Sequence, residues 1–165
     1  SRERYCVEAG FYTIMVGRSS AQIELVGTVW VNGEEIPPRD LSQTTRAEAY
    51  DDYEGVYLDE CREGGSAVVV ELDDGWLCYR NVRMPESTAS LELRAASPKV
   101  GGSVELRCDH PFGELLGRSV IEPTGGSQVW RTFSTAAAAA GGIRDLYLVM
   151  KGDIRLAWLR LKRNS

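Results

Sequence analysis

Ser66-Ala67-Val68-Val69-Val70-Glu71-Leu72, Asp73-Asp74-Gly75 and Trp76-Leu77-Cys78-Tyr79-Arg80-Asn81-Val82 follow one another without a break. Two short runs rich in β-branched and aromatic residues flank a turn signal, which reads as strand, turn and strand. The same punctuation continues downstream. Strands are predicted at Ala89–Ala96, Ser103–Cys108, Ser119–Ile121, Gln128–Ser134, Asp145–Met150 and Ile154–Leu161. Between them stand Pro85, Pro98, Gly101-Gly102, Pro123 with Gly125-Gly126, Gly141-Gly142 and Gly152-Asp153. Many short strands at regular spacing define an all-β chain, a β-sandwich of the jelly-roll kind. The alanine run Ala136–Ala140 is too short to nucleate an isolated helix and is stopped by Gly141-Gly142, so it reads as a loop or a single turn.

Upstream, Gly10–Gly17 and Gln22–Val31 form a short N-terminal strand pair around the polar turn Arg18-Ser19-Ser20. A strand pair has no core of its own and needs something to pack against. Residues 34–44 carry Pro37-Pro38 among mostly polar neighbours and have the composition of a linker. The chain therefore divides into 1–33, a linker at 34–44, and a sandwich at 45–165.

The 165 residues are 43% apolar and include 17 glycines, which is normal globular composition with many turns. Nineteen basic against 24 acidic side chains give a net charge of −5, a balance that repels phosphate backbones, so nucleic acid is not an expected partner. No stretch approaches the roughly 18 apolar residues of a membrane span, so no membrane role is expected either. Ser1-Arg2-Glu3-Arg4 has no apolar core of a secretory signal and reads as the interior of a longer protein; the compartment, secreted or cytoplasmic, stays open. Cys6, Cys61, Cys78 and Cys108 lack CxxC spacing and His110 is the only histidine, so a zinc site is not expected. Two disulfides and four buried thiols both remain open. Cys78 and Cys108 fall in strands, where a cysteine usually acts as a small core hydrophobe.

The segment Glu48-Ala49-Tyr50-Asp51-Asp52 with Gly55-Val56 resembles the opening of family 6 carbohydrate-binding modules. The resemblance continues through Asp74–Tyr79, Val82–Pro85, Leu93–Ser97, Gly101–Arg107, Pro123–Gly126, Asp145–Gly152 and Leu156–Leu159, in family order, from Thr45 to Lys162. It implies a non-catalytic jelly roll that binds a polysaccharide or oligosaccharide. Gly10-Phe11-Tyr12, Val16–Ser20 and Ile23-Glu24-Leu25 are similar to the end of the fibronectin type III-like domain of family 3 glycoside hydrolases. That second likeness implies a multidomain, β-glucosidase-like parent whose catalytic domain would be a partner in the same chain.

In such modules aromatic faces stack on the C–H face of a pyranose while polar groups bond its hydroxyls. Carried over by the resemblance, the usual Glu falls on Glu48. The two stacking aromatics fall on Val70 and Ser127, and the Asn on Arg155. The family's structural calcium would use positions that are Arg46 and Ala157, so no cofactor is expected, with the Arg46 guanidinium taking the space of the ion. Glu48 and Arg155 are expected to face each other as an ion pair that fills the old site. With both stacking faces missing, binding through a displaced surface is expected. Tyr53 or Tyr57 would supply its platform, within a segment that otherwise reads as a solvated acidic loop. Trp76, Trp130 and Trp158 read as core, and Phe112 as a loop aromatic that could serve either role. No GxSxG motif is present, and a Ser-His-Asp triad would rest wholly on His110, so the module is not expected to be an enzyme. Three functions follow in order: glycan binding at a non-standard surface, a binding-deficient module packed on its parent enzyme, and a separate enzymatic site.

Overall fold

The computed structural model describes residues 7–34 and 37–163; Cys6 lies outside them. These residues form two compact units divided between Pro37 and Pro38. The first is a hairpin of β1 (Gly10–Ser19) and β2 (Gln22–Val31), paired antiparallel with Phe11 opposite Trp30. β1 is longer than the polar turn suggested, because Arg18 and Ser19 continue it, while β2 has the expected bounds. Phe11 and Trp30 meet edge to face with centroids 4.9 Å apart.

The second unit is a sandwich of two antiparallel sheets. Its strands are β3 (Thr45–Arg46), β4 (Asp52–Glu54), β5 (Val56–Glu60), β6 (Ser66–Val70), β7 (Asp74–Arg83), β8 (Ala89–Ala96), β9 (Gly102–Cys108), β10 (Leu115–Ile121), β11 (Arg131–Ala137), β12 (Ile143–Gly152) and β13 (Arg155–Arg163). One sheet runs β10-β9-β12-β7-β4, and the other β11-β8-β13-β6-β5 with β3 also on β13. The side-chain period of two sorts each strand. Ala89, Leu91, Leu93 and Ala95 of β8 point inward against Ser90, Glu92 and Arg94. Leu146, Leu148 and Met150 of β12 alternate with Tyr147 and Val149 in the same way. The inner faces meet in one core around Leu77, Tyr79, Leu93, Leu106, Leu148 and Leu159. The Tyr79 hydroxyl, buried there, donates to the Ala47 carbonyl at 2.7 Å, satisfying both groups.

Several expectations are corrected. The acidic stretch after Tyr50 is not a solvated loop: it holds the two edge strands β4 and β5. Asp52, Glu54, Asp59 and Glu60 hide the strand signal but protect an open edge. The second half of the linker belongs to the sandwich. Arg39 bonds to Asn81 and Arg83 through its backbone, Leu41 is buried, and its carbonyl accepts the Leu161 N–H at 2.7 Å. The strand expected from Gln128 starts at Arg131 instead, because the Gln128 side chain ties the Glu60 carbonyl and the Arg62 N–H. Ala136 and Ala137 extend that strand before the loop begins. Cys61, Cys78 and Cys108 are free buried thiols; Cys108 joins the core between the sheets, as expected, whereas Cys78 is buried on the outward face of β7 rather than in that core.

Candidate functional site

The outward face of the β10-β9-β12-β7-β4 sheet carries side chains in rows fixed by strand register. Glu54, Trp76, Val149 and Glu105 form one row across β4, β7, β12 and β9; Asp52, Cys78, Tyr147 and Arg107 form the next. Above these rows is a cleft of about 590 Å³, in the range of small-ligand sites. Trp76 and Tyr147 make an aromatic floor, half-buried, with ring centroids 5.4 Å apart and planes at 58°. Leu72 and Phe112, 84% and 87% exposed, stand at the mouth on two separate loops. The close approach of strands below depends on glycine: a Cβ on Gly75 would lie 2.6 Å from the Gly55 carbonyl oxygen, and Gly55 itself has a φ of 67°.

The floor is held in place. The Trp76 indole N–H donates to Glu54 Oε2 at 2.9 Å, fixing the ring. Tyr147 lies over the Cys78 sulfur, which, with burial, pushes its hydroxyl up to about 12, so it stays a neutral hydrogen-bonding group. Burial pushes the Cys78 thiol up as well, and an inert thiol packs the floor from beneath. Arg107 Nε donates to Glu105 Oε2 at 2.9 Å and its Nη1 to the Gly113 carbonyl at 2.7 Å, anchoring the loop that bears Phe112. His110 Nδ1 accepts the Phe112 N–H at 3.1 Å in that loop. Rigid aromatics, carboxylates and a neutral hydroxyl in one cleft suit stacking on a sugar ring and bonding its hydroxyls. Trp76 is therefore not a core residue: its β7 position faces outward. Trp130 is buried in a small cluster with Cys61, Ala67, Ala96 and Ala157, against which Trp158 packs, as the core readings of both expect.

The residues singled out from sequence lie elsewhere, and not together. Tyr53, 53% exposed, is on edge strand β4 and packs on Tyr50 at 5.0 Å; Tyr57, 47% exposed, is on β5, the edge of the opposite sheet. Glu48 does not pair with Arg155. Its Oε2 accepts the Ser66 N–H at 3.0 Å, while Arg155 Nη2 donates to Asp59 Oδ2 at 2.7 Å and to the Glu60 carbonyl. The reason is register. Val69 is opposite Arg155 and Ala67 is opposite Asp59, so the guanidinium crosses diagonally over a small alanine to reach that carboxylate. Arg155 is buried with its Nε unmatched, and Val70 is buried in the core, so the loop-end position is packed.

The calcium position likewise does not fit a metal. Arg46 brings a cation and donates to the Gly64 carbonyl, Ala157 is a buried methyl, and Glu48 is committed to Ser66. Among the described residues no three Asp, Glu, His or Cys side chains gather as ligands.

The arginine–carboxylate pairs of the surface carry a pH signature. Arg94 holds Glu63 below the usual carboxylate range with contacts of 2.9 and 2.5 Å, and Arg155 does the same to Asp59 and Arg144 to Asp109. A depressed folded pKa stabilises above the unfolded value and the benefit is lost as pH falls through the folded one. Stability should therefore be flat toward neutrality and decline below about pH 4. Glu63→Gln should cost about 0.5 kcal/mol at pH 7, a difference that closes in acid denaturation series near about pH 2–3.

An antiparallel sandwich with a pre-organised aromatic cleft on one sheet face defines a small-ligand binding module. Residues 46–163 match carbohydrate-binding module family 6, and the chain belongs to that family over this span, a non-catalytic carbohydrate-binding class. Among solved structures, a Clostridium cellulolyticum family 6 module in complex with xylose superposes with a TM-score of 0.72 at 28% identity, covering 76% of this chain and 100% of that one. A β-1,3-glucan-binding family 6 module from Bacillus halodurans superposes at 0.71 with 30% identity, covering 76% and 99%. Endo-1,4-β-xylanase A of Thermoclostridium stercorarium is 26% identical over 129 residues, 77% of this chain and 25% of its own length. An arabinoxylan arabinofuranohydrolase of Paenibacillus polymyxa is 42% identical over 86 residues, 52% of this chain and 14% of its own. The chain thus spans a quarter or less of these relatives.

Proposed function

We propose that this module binds β-glucan or xylan-type chains in the Trp76–Tyr147 cleft and holds a glycoside hydrolase on its polysaccharide. The observation that carries the proposal is the aromatic pair, fixed by Glu54 and Cys78 on an otherwise polar sheet face. The packed loop-end position favours this face over the site implied by the family resemblance. Tethering raises the effective concentration of substrate at the enzyme even when a single cleft binds weakly. The parent enzyme we infer is β-glucosidase-like, from the likeness of residues 10–25 to the end of a fibronectin type III-like domain. We also infer that no calcium is needed, since Arg46 supplies the positive charge.

Isothermal titration with xylo-oligosaccharides and β-1,3- and β-1,4-gluco-oligosaccharides tests this, each run with calcium and with EDTA. Saturable binding, equal in both, is expected. Loss of binding in EDTA would overturn the calcium-free reading. Loss of binding in Tyr53→Ala or Tyr57→Ala, with the cleft intact, would move the site to the sheet edges.

A further inference from the structure

The charges around the cleft are uneven. Glu54, Glu71, Asp74 and Glu105 line it against Arg107 and Lys151, with His110 at the rim. Arg107 is used locally, its Nε and Nη2 holding Glu105 at 2.9 and 2.8 Å. Glu54 accepts a neutral indole N–H, so its charge is not cancelled. Lys151 lies opposite Asp74 in the strand register. Once the Arg107–Glu105 pair is set aside, one cation faces three carboxylates, Glu54, Glu71 and Asp74. The next cations along these strands are also engaged: Arg80 with Asp52 at 2.9 Å and Arg144 with Asp109 at 2.5 Å.

A neutral sugar brings hydroxyl donors to such a lining, and carboxylates are acceptors only, so the two match. A uronate or sulfate ester brings more acceptors and a negative charge. It meets like charge from three exposed carboxylates gathered on one cleft, a repulsion that salt screens. We propose that the cleft selects uncharged glycans, with Glu54, Glu71 and Asp74 acting as a filter against uronate- and sulfate-bearing chains. This rests on the reading of the cleft as the glycan site. It makes the acidic lining a determinant of specificity, separate from the aromatic floor that supplies contact area.

The test uses a cello- and a xylo-oligosaccharide, each in three forms: neutral, bearing one uronic acid, and the methyl ester of that uronic acid. The ester keeps the shape of the acid without its charge. Neutral and ester forms are expected to bind alike, and the acid about threefold or more weakly at low ionic strength, the gap narrowing in high salt. In Glu71→Gln with Asp74→Asn the gap should shrink, because both amides keep size while removing charge. An acid form that binds as tightly as its ester at low salt overturns the filter alone. Absence of binding by every neutral form, or neutral binding unaffected by Trp76→Ala, overturns the cleft reading and the filter with it.

Discussion

Trp76→Ala should weaken binding of a xylan or β-glucan oligosaccharide at least tenfold in a calorimetric titration, a loss of about 1.4 kcal/mol or more. The indole is the largest surface on the cleft floor and is already oriented by Glu54, so it meets a ligand with little further ordering. Its removal deletes the stacking face and frees the Glu54 carboxylate. Because Trp76 faces outward beside half-buried Val149, the module should still unfold cooperatively, so lost binding would report on the cleft. Tyr147→Phe keeps the second ring while deleting the hydroxyl over Cys78, and should fall between wild type and Trp76→Ala. Unchanged affinity in Trp76→Ala would remove the cleft as the site.

The neighbouring position gives the opposite result. Leu148 is fully buried at the centre of its sheet, with Leu77 and Leu106 as direct cross-strand partners, both also fully buried. Leu148→Ala leaves a cavity between side chains that are themselves locked by both sheets, and should cost about 3–4 kcal/mol in denaturant unfolding. That is a large part of the 5–15 kcal/mol typical of a domain, and it should appear as a lower midpoint at an unchanged slope. Residues 147 and 148 thus separate recognition from stability across a single peptide bond.

That alternation explains what the sequence could reveal. The inward rows of β8 and β9 read directly, because Leu, Val and Ala alternate with charged or polar residues. The edge strands β4 and β5 did not, since four of the eight residues are Asp or Glu. The site was harder still. Trp76 sits in a strand and reads as inward on size, yet its place in β7, one residue before inward Leu77, turns it outward. Counting alternation from Leu77 and Tyr79, both of core type, would have placed Trp76 and Cys78 on the other face. Its pairing with Tyr147 needs strand order, which brings residues 76 and 147 together and which no local pattern carries. Glu48 and Arg155, expected to pair across the loop-end position, do not meet. Their partners, Ser66 and Asp59, follow from a diagonal across β6 that sequence spacing does not encode.

The chain threads between sheets at almost every step; only β5–β6 and β9–β10 are sandwich hairpins of consecutive strands. The last strand, β13, is central, pairing with β3, β6 and β8, and β12 joins β7 to β9. During synthesis, therefore, the β10-β9-β12-β7-β4 sheet cannot close until residues 143–152 have cleared the ribosome exit, nor the other sheet until residues 155–163 have, and earlier strands wait with their inner faces unpaired. Such distant pairings place the module among slow folders, in the millisecond-to-second range. A nascent chain paused before Arg155 would carry the complete aromatic floor of the cleft, while the opposite sheet that packs behind it still lacked its central strand.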